Sequence, residues 1–167
     1  MLSRTAEYLY WISRYMERAE TTARLLDVGY RMSLFPNPSG YNNEWESVLS
    51  AAGAIEGYKK KYNTIEQKNV EDYLFFDETN PSSVYNCILN ARNNALVVRT
   101  SFTPESWLAI NKTYQEILNL KEQKFIKSDL PDLTEWTIEQ VNLFRGSLSS
   151  LLRNDAVSYT HLRAHET

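Results

Sequence analysis

Between Leu9 and Tyr30 the apolar and small residues fall at Leu9, Ile12, Met16, Ala19, Ala23, Leu26 and Tyr30, in alternating steps of three and four. That spacing keeps one face of an α-helix in line, and it conflicts with a strand, whose faces alternate every second residue. No proline or glycine interrupts the run before Gly29, and the PNPSG stretch at 36–40 ends whatever helix remains. The uninterrupted length predicts a helix of about 28 residues, roughly 40 Å at 1.5 Å per residue. Ser3 offers an N-cap, though alanine at position 6 denies it the reciprocal capping box. A helix this long with one apolar seam must be covered by other helices, so it predicts the spine of a bundle.

The remaining chain supplies those helices. Asn43 with Glu46 forms a capping box for a second helix carrying Trp45, Val48, Leu49, Ala52 and Ile55, which Gly53 and Gly57 weaken at its end. GYKKKYNT reads as a connector, and Thr64 with Gln67 opens a short third helix bearing Val70, Tyr73, Leu74 and Phe75. Asn80 before Pro81 marks a fourth start, followed by the narrow seam Val84, Ile88, Ala91, Ala95 and Val98. Thr103, Pro104 and Glu105 are cap, first-turn proline and first-turn acid of a fifth helix reaching Leu120. A polar break containing Pro131 precedes a sixth helix, roughly 133–153, with Trp136, Val141, Phe144 and Leu148 inward. No alternating run of β-branched residues competes with these signals, so the fold class is all-α, a bundle of about six helices.

Composition narrows the function. With 167 residues, 43% hydrophobic and 13% aromatic, the chain suits one domain with a real core. A net charge of -3 leaves no basic excess to neutralise a phosphate backbone, which argues against nucleic acid. The Lys59, Lys60 and Lys61 run reads as a solvated loop or helix end. No stretch approaches the ~20 apolar residues of a membrane span, and the charged-then-apolar pattern of a signal peptide is missing, so a cytoplasmic location is expected. The single cysteine, Cys87, reads as a small buried apolar residue.

The segment 157–167, VSYTHLRAHET, looks like a translated sequencing adapter, so residues 1–156 are expected to be the native domain. His161 and His165, the only histidines, both lie in that tail. Without them there is no Ser-His or Cys-His couple and no histidine metal site. No glycine-rich phosphate loop occurs either, and no cofactor is expected.

What remains for chemistry is a charged stripe beside the seam of the first helix: Arg4, Glu7, Arg14, Glu17, Arg18, Thr21 and Arg24. Arg14 can reach Glu17, and Glu20 can reach Arg24, one turn away. Arg92, Asn94 and Arg99 on the fourth helix are candidates to join them. One reading makes this cluster (Arg14, Glu17, Arg18, Arg24, Arg92, Asn94 and Arg99) a set of ion pairs that fixes helix register. The other makes it a pocket for a phosphate or peptide carboxylate, which guanidinium groups grip bidentately. Both stay open on sequence.

The opening MLSRTAEYLYWISRYMERAETTARLLD resembles the start of the alpha-E superfamily, a bacterial all-helical domain named for its Glu-Arg motif. NPSSVYNCILNARNNALVVRTSFTPESWLAINKTY is similar to that family's second recognisable block, and Asn93 and Leu96 stand where members usually carry Glu and Arg. The resemblance implies a longer parent with a second Glu-Arg segment, so a truncated chain with uncovered apolar surface and a tendency to self-associate is expected. It also implies partners: a circularly permuted ATP-grasp ligase-like protein and a transglutaminase-like peptidase, in a peptide synthesis or modification system. No reaction follows for the helical domain itself, and an accessory module and an enzyme or ligand-binding domain remain the two alternatives.

Overall fold

The computed structural model describes residues 3–35, 43–123 and 129–165, with side chains from Arg4 to Ser149 apart from that of Asn43. Seven α-helices follow one another among the described residues: α1 (Ser3–Ser33), α2 (Asn43–Ala51), α3 (Ile55–Lys59), α4 (Gln67–Phe75), α5 (Val84–Val97), α6 (Pro104–Gln123) and α7 (Leu130–His165). A single 3-10 turn, Arg99–Ser101, joins α5 to α6. The all-α bundle expected from periodicity is present.

The α1 seam is the centre of the core. Ile12, Ala19, Ala23 and Leu26 are completely buried, and Leu9 and Met16 nearly so. α5 runs antiparallel along one flank of α1: the Thr22 hydroxyl donates to the Ser82 carbonyl just before α5, while Leu9 and Ile12 share a cluster with Ala95 and Val98 near its end. The alanines at 91 and 95, both fully buried, let α5 approach closely, as the narrow seam predicts. α7 runs antiparallel along the other flank, Arg145 lying beside Glu20 and Leu148 beside Ser13. α6 packs against both α5 and α7, and α2 and α4 cover the C-terminal half of α1. There Leu26, Trp45, Leu49, Tyr58, Phe75 and Ile88 form a second cluster.

Several boundaries differ from the sequence reading, each for a local reason. α2 stops at Ala51 because Gly53 takes a left-handed φ of 64°, with Gly53 N–H donating to the Ser50 carbonyl and Ala54 N–H to that of Leu49. This pair of bonds is the Schellman stop that glycine makes cheap. Ile55 thus opens the separate α3 rather than extending α2. Thr64 does not cap the next helix; its hydroxyl lies 3.0 Å from Glu66 Oε1, and α4 starts from Glu66 with no side-chain cap. Asn80 is not the α5 cap either. Its side-chain Oδ1 accepts Ser82 N–H and its side-chain amide donates to the Tyr73 carbonyl, both at 3.0 Å, while the Ser83 hydroxyl caps α5 by accepting Asn86 N–H at 3.1 Å.

Thr103 does cap α6, accepting Ser106 N–H at 3.2 Å, and α6 runs past Leu120 to Gln123. α7 starts at Leu130 rather than 133 because Pro131 fits the first turn, where a missing N–H costs nothing. α1 already contains Ser3, so the expected cap there, like the Asn43 side-chain cap, lies outside the described residues.

Candidate functional site

The Glu/Arg stripe of α1 was expected as one line of charges. Neighbouring residues on a helix are about 100° apart around its axis, so Glu17 and Arg18 diverge. Glu17 faces the α7 flank, lining a cleft of about 80 Å³ with Ser13, Met16, Val141, Phe144 and Arg145. Arg18 faces the α5 flank, where its charge acts on the Cys87 thiol. Burial dominates there and pushes that thiol up to about 12, so Cys87 is the inert core residue expected of it.

Two ion-pair groups lie along α1, and one of them crosses to α7. Arg14 Nη1 donates to Glu17 Oε2 at 3.1 Å, with both side chains half exposed. One turn on, Glu20 takes Arg24 Nη2 on one oxygen and Arg145 Nη2 from α7 on the other, each at 2.7 Å. Only 13% of the Glu20 side chain is exposed. Burial alone would raise its pKa, but the hydrogen bonds from Arg24 and Arg145 outweigh it and hold the carboxyl below its ordinary value. The Glu20 to Arg24 pair was legible as an i,i+4 spacing; Arg145, 125 residues away, had no local signal.

The α5 candidates are engaged elsewhere. Arg92 donates from Nε to Asn111 Oδ1 on α6 at 3.1 Å, and its guanidinium lies 4.5 Å over the Tyr114 ring. The Asn94 amide donates to the carbonyl of Asn90 on its own helix at 3.0 Å. Arg99 opens the 3-10 turn with its side chain exposed. No hydrogen bond or ion pair among the described residues joins the α1 groups to Arg92, Asn94 or Arg99. The seven candidates are therefore distributed over separate places on the bundle.

A second polar centre escaped the sequence reading. Asp77, with 2% of its side chain exposed, takes Lys61 Nζ at 2.5 Å and both the N–H and hydroxyl of Thr79 at 2.7 Å. Lys61 is thus a tie across the connector rather than a freely solvated charge, and Lys59 pairs with Glu46 at 3.5 Å. Beside them Lys121 pairs with Glu78 and sits 3.8 Å over the Tyr85 ring, closing a polar recess of about 340 Å³. Between α6 and α7 a groove of about 360 Å³ is walled by Trp136, whose Nε1 donates to Glu116 at 2.9 Å. Among the described residues no group of three or more His, Cys, Asp or Glu could hold a metal, and no helix is long and apolar enough to cross a membrane.

Fold and site together define an all-helical bundle whose central helix, α1, bears the Glu17-Arg18 pair, with Glu20 one turn on tied to α7. The chain belongs to the Alpha-E family: residues 1–162 match the family model, described as a predicted alpha-helical domain with a conserved ER motif. No curated protein and no solved structure matches it.

Proposed function

We propose that this chain is a non-catalytic accessory module that binds a protein partner or presents that partner's substrate. One observation carries the reading: the carboxylates of the α1 stripe pair with the chain's own arginines, the motif residue Glu17 with Arg14 at 3.1 Å and, one turn on, Glu20 with Arg24 and Arg145 at 2.7 Å each. A general acid or base must instead reach the substrate's proton. The space beside Glu17 points the same way, since about 80 Å³ falls well short of a small-molecule site, which typically offers about 300–1,000 Å³. The family resemblance supplies the partners, an ATP-grasp ligase-like protein and a transglutaminase-like peptidase of a bacterial peptide synthesis or modification system, working in the cytoplasm.

The test is to mix the purified chain with each of these two proteins and follow the complex by size-exclusion chromatography with light scattering. A stable complex with one of them is the expected result. Turnover of an anionic peptide or nucleotide by the chain alone, abolished in Arg18→Ala at an unchanged melting temperature, would replace this reading with an enzymatic one.

A further inference from the structure

Arginines on this surface come in two kinds. Arg14, Arg24, Arg31 and Arg145 each hold a carboxylate of the chain, at 3.1, 2.7, 3.0 and 2.7 Å respectively. Arg92, like Arg18 and Arg99, holds none among the described residues, yet unlike those two it is anchored by its neighbours. Its Nε donates to Asn111 Oδ1 and its guanidinium carbon lies 4.5 Å from the Tyr114 ring centre, so two independent contacts hold the guanidinium while the residue stays only half-buried. Among the described residues no ion pair gives Arg92 a counter-charge. α5 carries no acidic residue from Val84 to Val97. Glu116, little more than a turn beyond Asn111, is already taken by Trp136 Nε1 at 2.9 Å and Lys112 at 3.6 Å.

We propose that Arg92 is a recognition site for a carboxylate carried by a ligand from outside the chain. With Nε spent on Asn111, the two Nη groups remain, and they take no partner among the described residues. Two parallel N–H bonds from one guanidinium edge match the two oxygens of a carboxylate. Asn111 turns its carbonyl oxygen to Arg92, and its amide group carries two N–H donors of its own. The cation–π contact with Tyr114 and the bond to Asn111 reduce the side-chain freedom that a loose surface arginine would lose on binding. A carboxylate fits better than a phosphate dianion, because a single guanidinium supplies one charge and neighbouring Lys112 is engaged by Glu116. This inference does not depend on the accessory-module reading.

The experiment is a titration of the full chain with sodium acetate against sodium chloride at constant ionic strength, followed through the Arg92 Nε–H and Asn111 side-chain amide resonances. Acetate is expected to shift both saturably with a millimolar Kd, chloride to leave them in place, and inorganic phosphate to bind more weakly than acetate. Arg92→Lys keeps the charge but loses the fork, and is expected to weaken acetate binding about tenfold at an unchanged melting temperature. An absent or non-saturating shift in the unsubstituted chain overturns the proposal even if the variant does not fold. Equal acetate affinity in Arg92→Lys, or tighter binding of phosphate than of acetate, overturns it as well.

Discussion

Asp77 shows how one buried carboxylate can organise a connector. Burial pushes its pKa up, but the hydrogen bonds from Lys61 and Thr79 win, and the group titrates below its ordinary value. A depressed folded pKa means the contribution to stability is fully present above the unfolded carboxylate range, near pH 4, and is lost as pH falls through the folded value. Acid unfolding followed by circular dichroism should therefore show a low-pH limb that Asp77→Asn flattens, with a loss of about 1–3 kcal/mol at neutral pH. At Gly29 two effects oppose each other. An alanine there would gain about 1 kcal/mol in helix propensity, but its Cβ would sit 2.7 Å from Val48 Cγ2 and 3.1 Å from Trp45 Cζ3. Valine is stiff at χ1 and Trp45 is buried, so the overpacking cost of about 1–3 kcal/mol should prevail. Gly29→Ala is expected to lower the urea midpoint; a raised midpoint would mean that α2 can move away from α1.

Among the elements, α5 makes the sharpest prediction. Ser83 is fully buried and caps the helix, so Ser83→Ala should cost about 1–2 kcal/mol in urea unfolding. A loss indistinguishable from zero would return the cap to Asn80. Helix number and inward faces were largely legible in the sequence because they depend on spacing: the α1 seam and the Ala91 and Ala95 approach were read correctly. Helix ends were less so, since several nearby residues compete for each cap. DETNPSS holds Thr79, Asn80, Ser82 and Ser83, and only the folded turn decides which of them faces the first free N–H of α5. The stop at Gly53 and the separate α3 likewise depend on a φ that glycine permits but does not dictate. At the candidate site, pairs within one turn of α1 were legible, as Arg14 with Glu17 and Glu20 with Arg24 show. Partners from distant helices, Arg145 for Glu20 and Asn111 for Arg92, carry no sequence mark.

In the whole molecule α1 is the centre of the packing: α5 and α7 flank it in antiparallel fashion, α2 and α4 close over its C-terminal half, and α6 joins through α5 and α7. Apolar seams hold these helices together but discriminate poorly between neighbouring registers, because leucine and alanine faces tolerate small slides. A charge pair placed at one position does discriminate, at modest net energy. Glu20 occupies that position between α1 and α7, one turn beyond Glu17 and Arg18, so the charged stripe of α1 can matter to the fold without acting on a substrate. The direct measurement is a double-mutant cycle of Glu20→Ala and Arg145→Ala by urea denaturation. The account predicts a coupling of about 1 kcal/mol, the upper range for a pair with one partner exposed. Single losses that add within about 0.3 kcal/mol would contradict it and remove the register role from the charged stripe of α1.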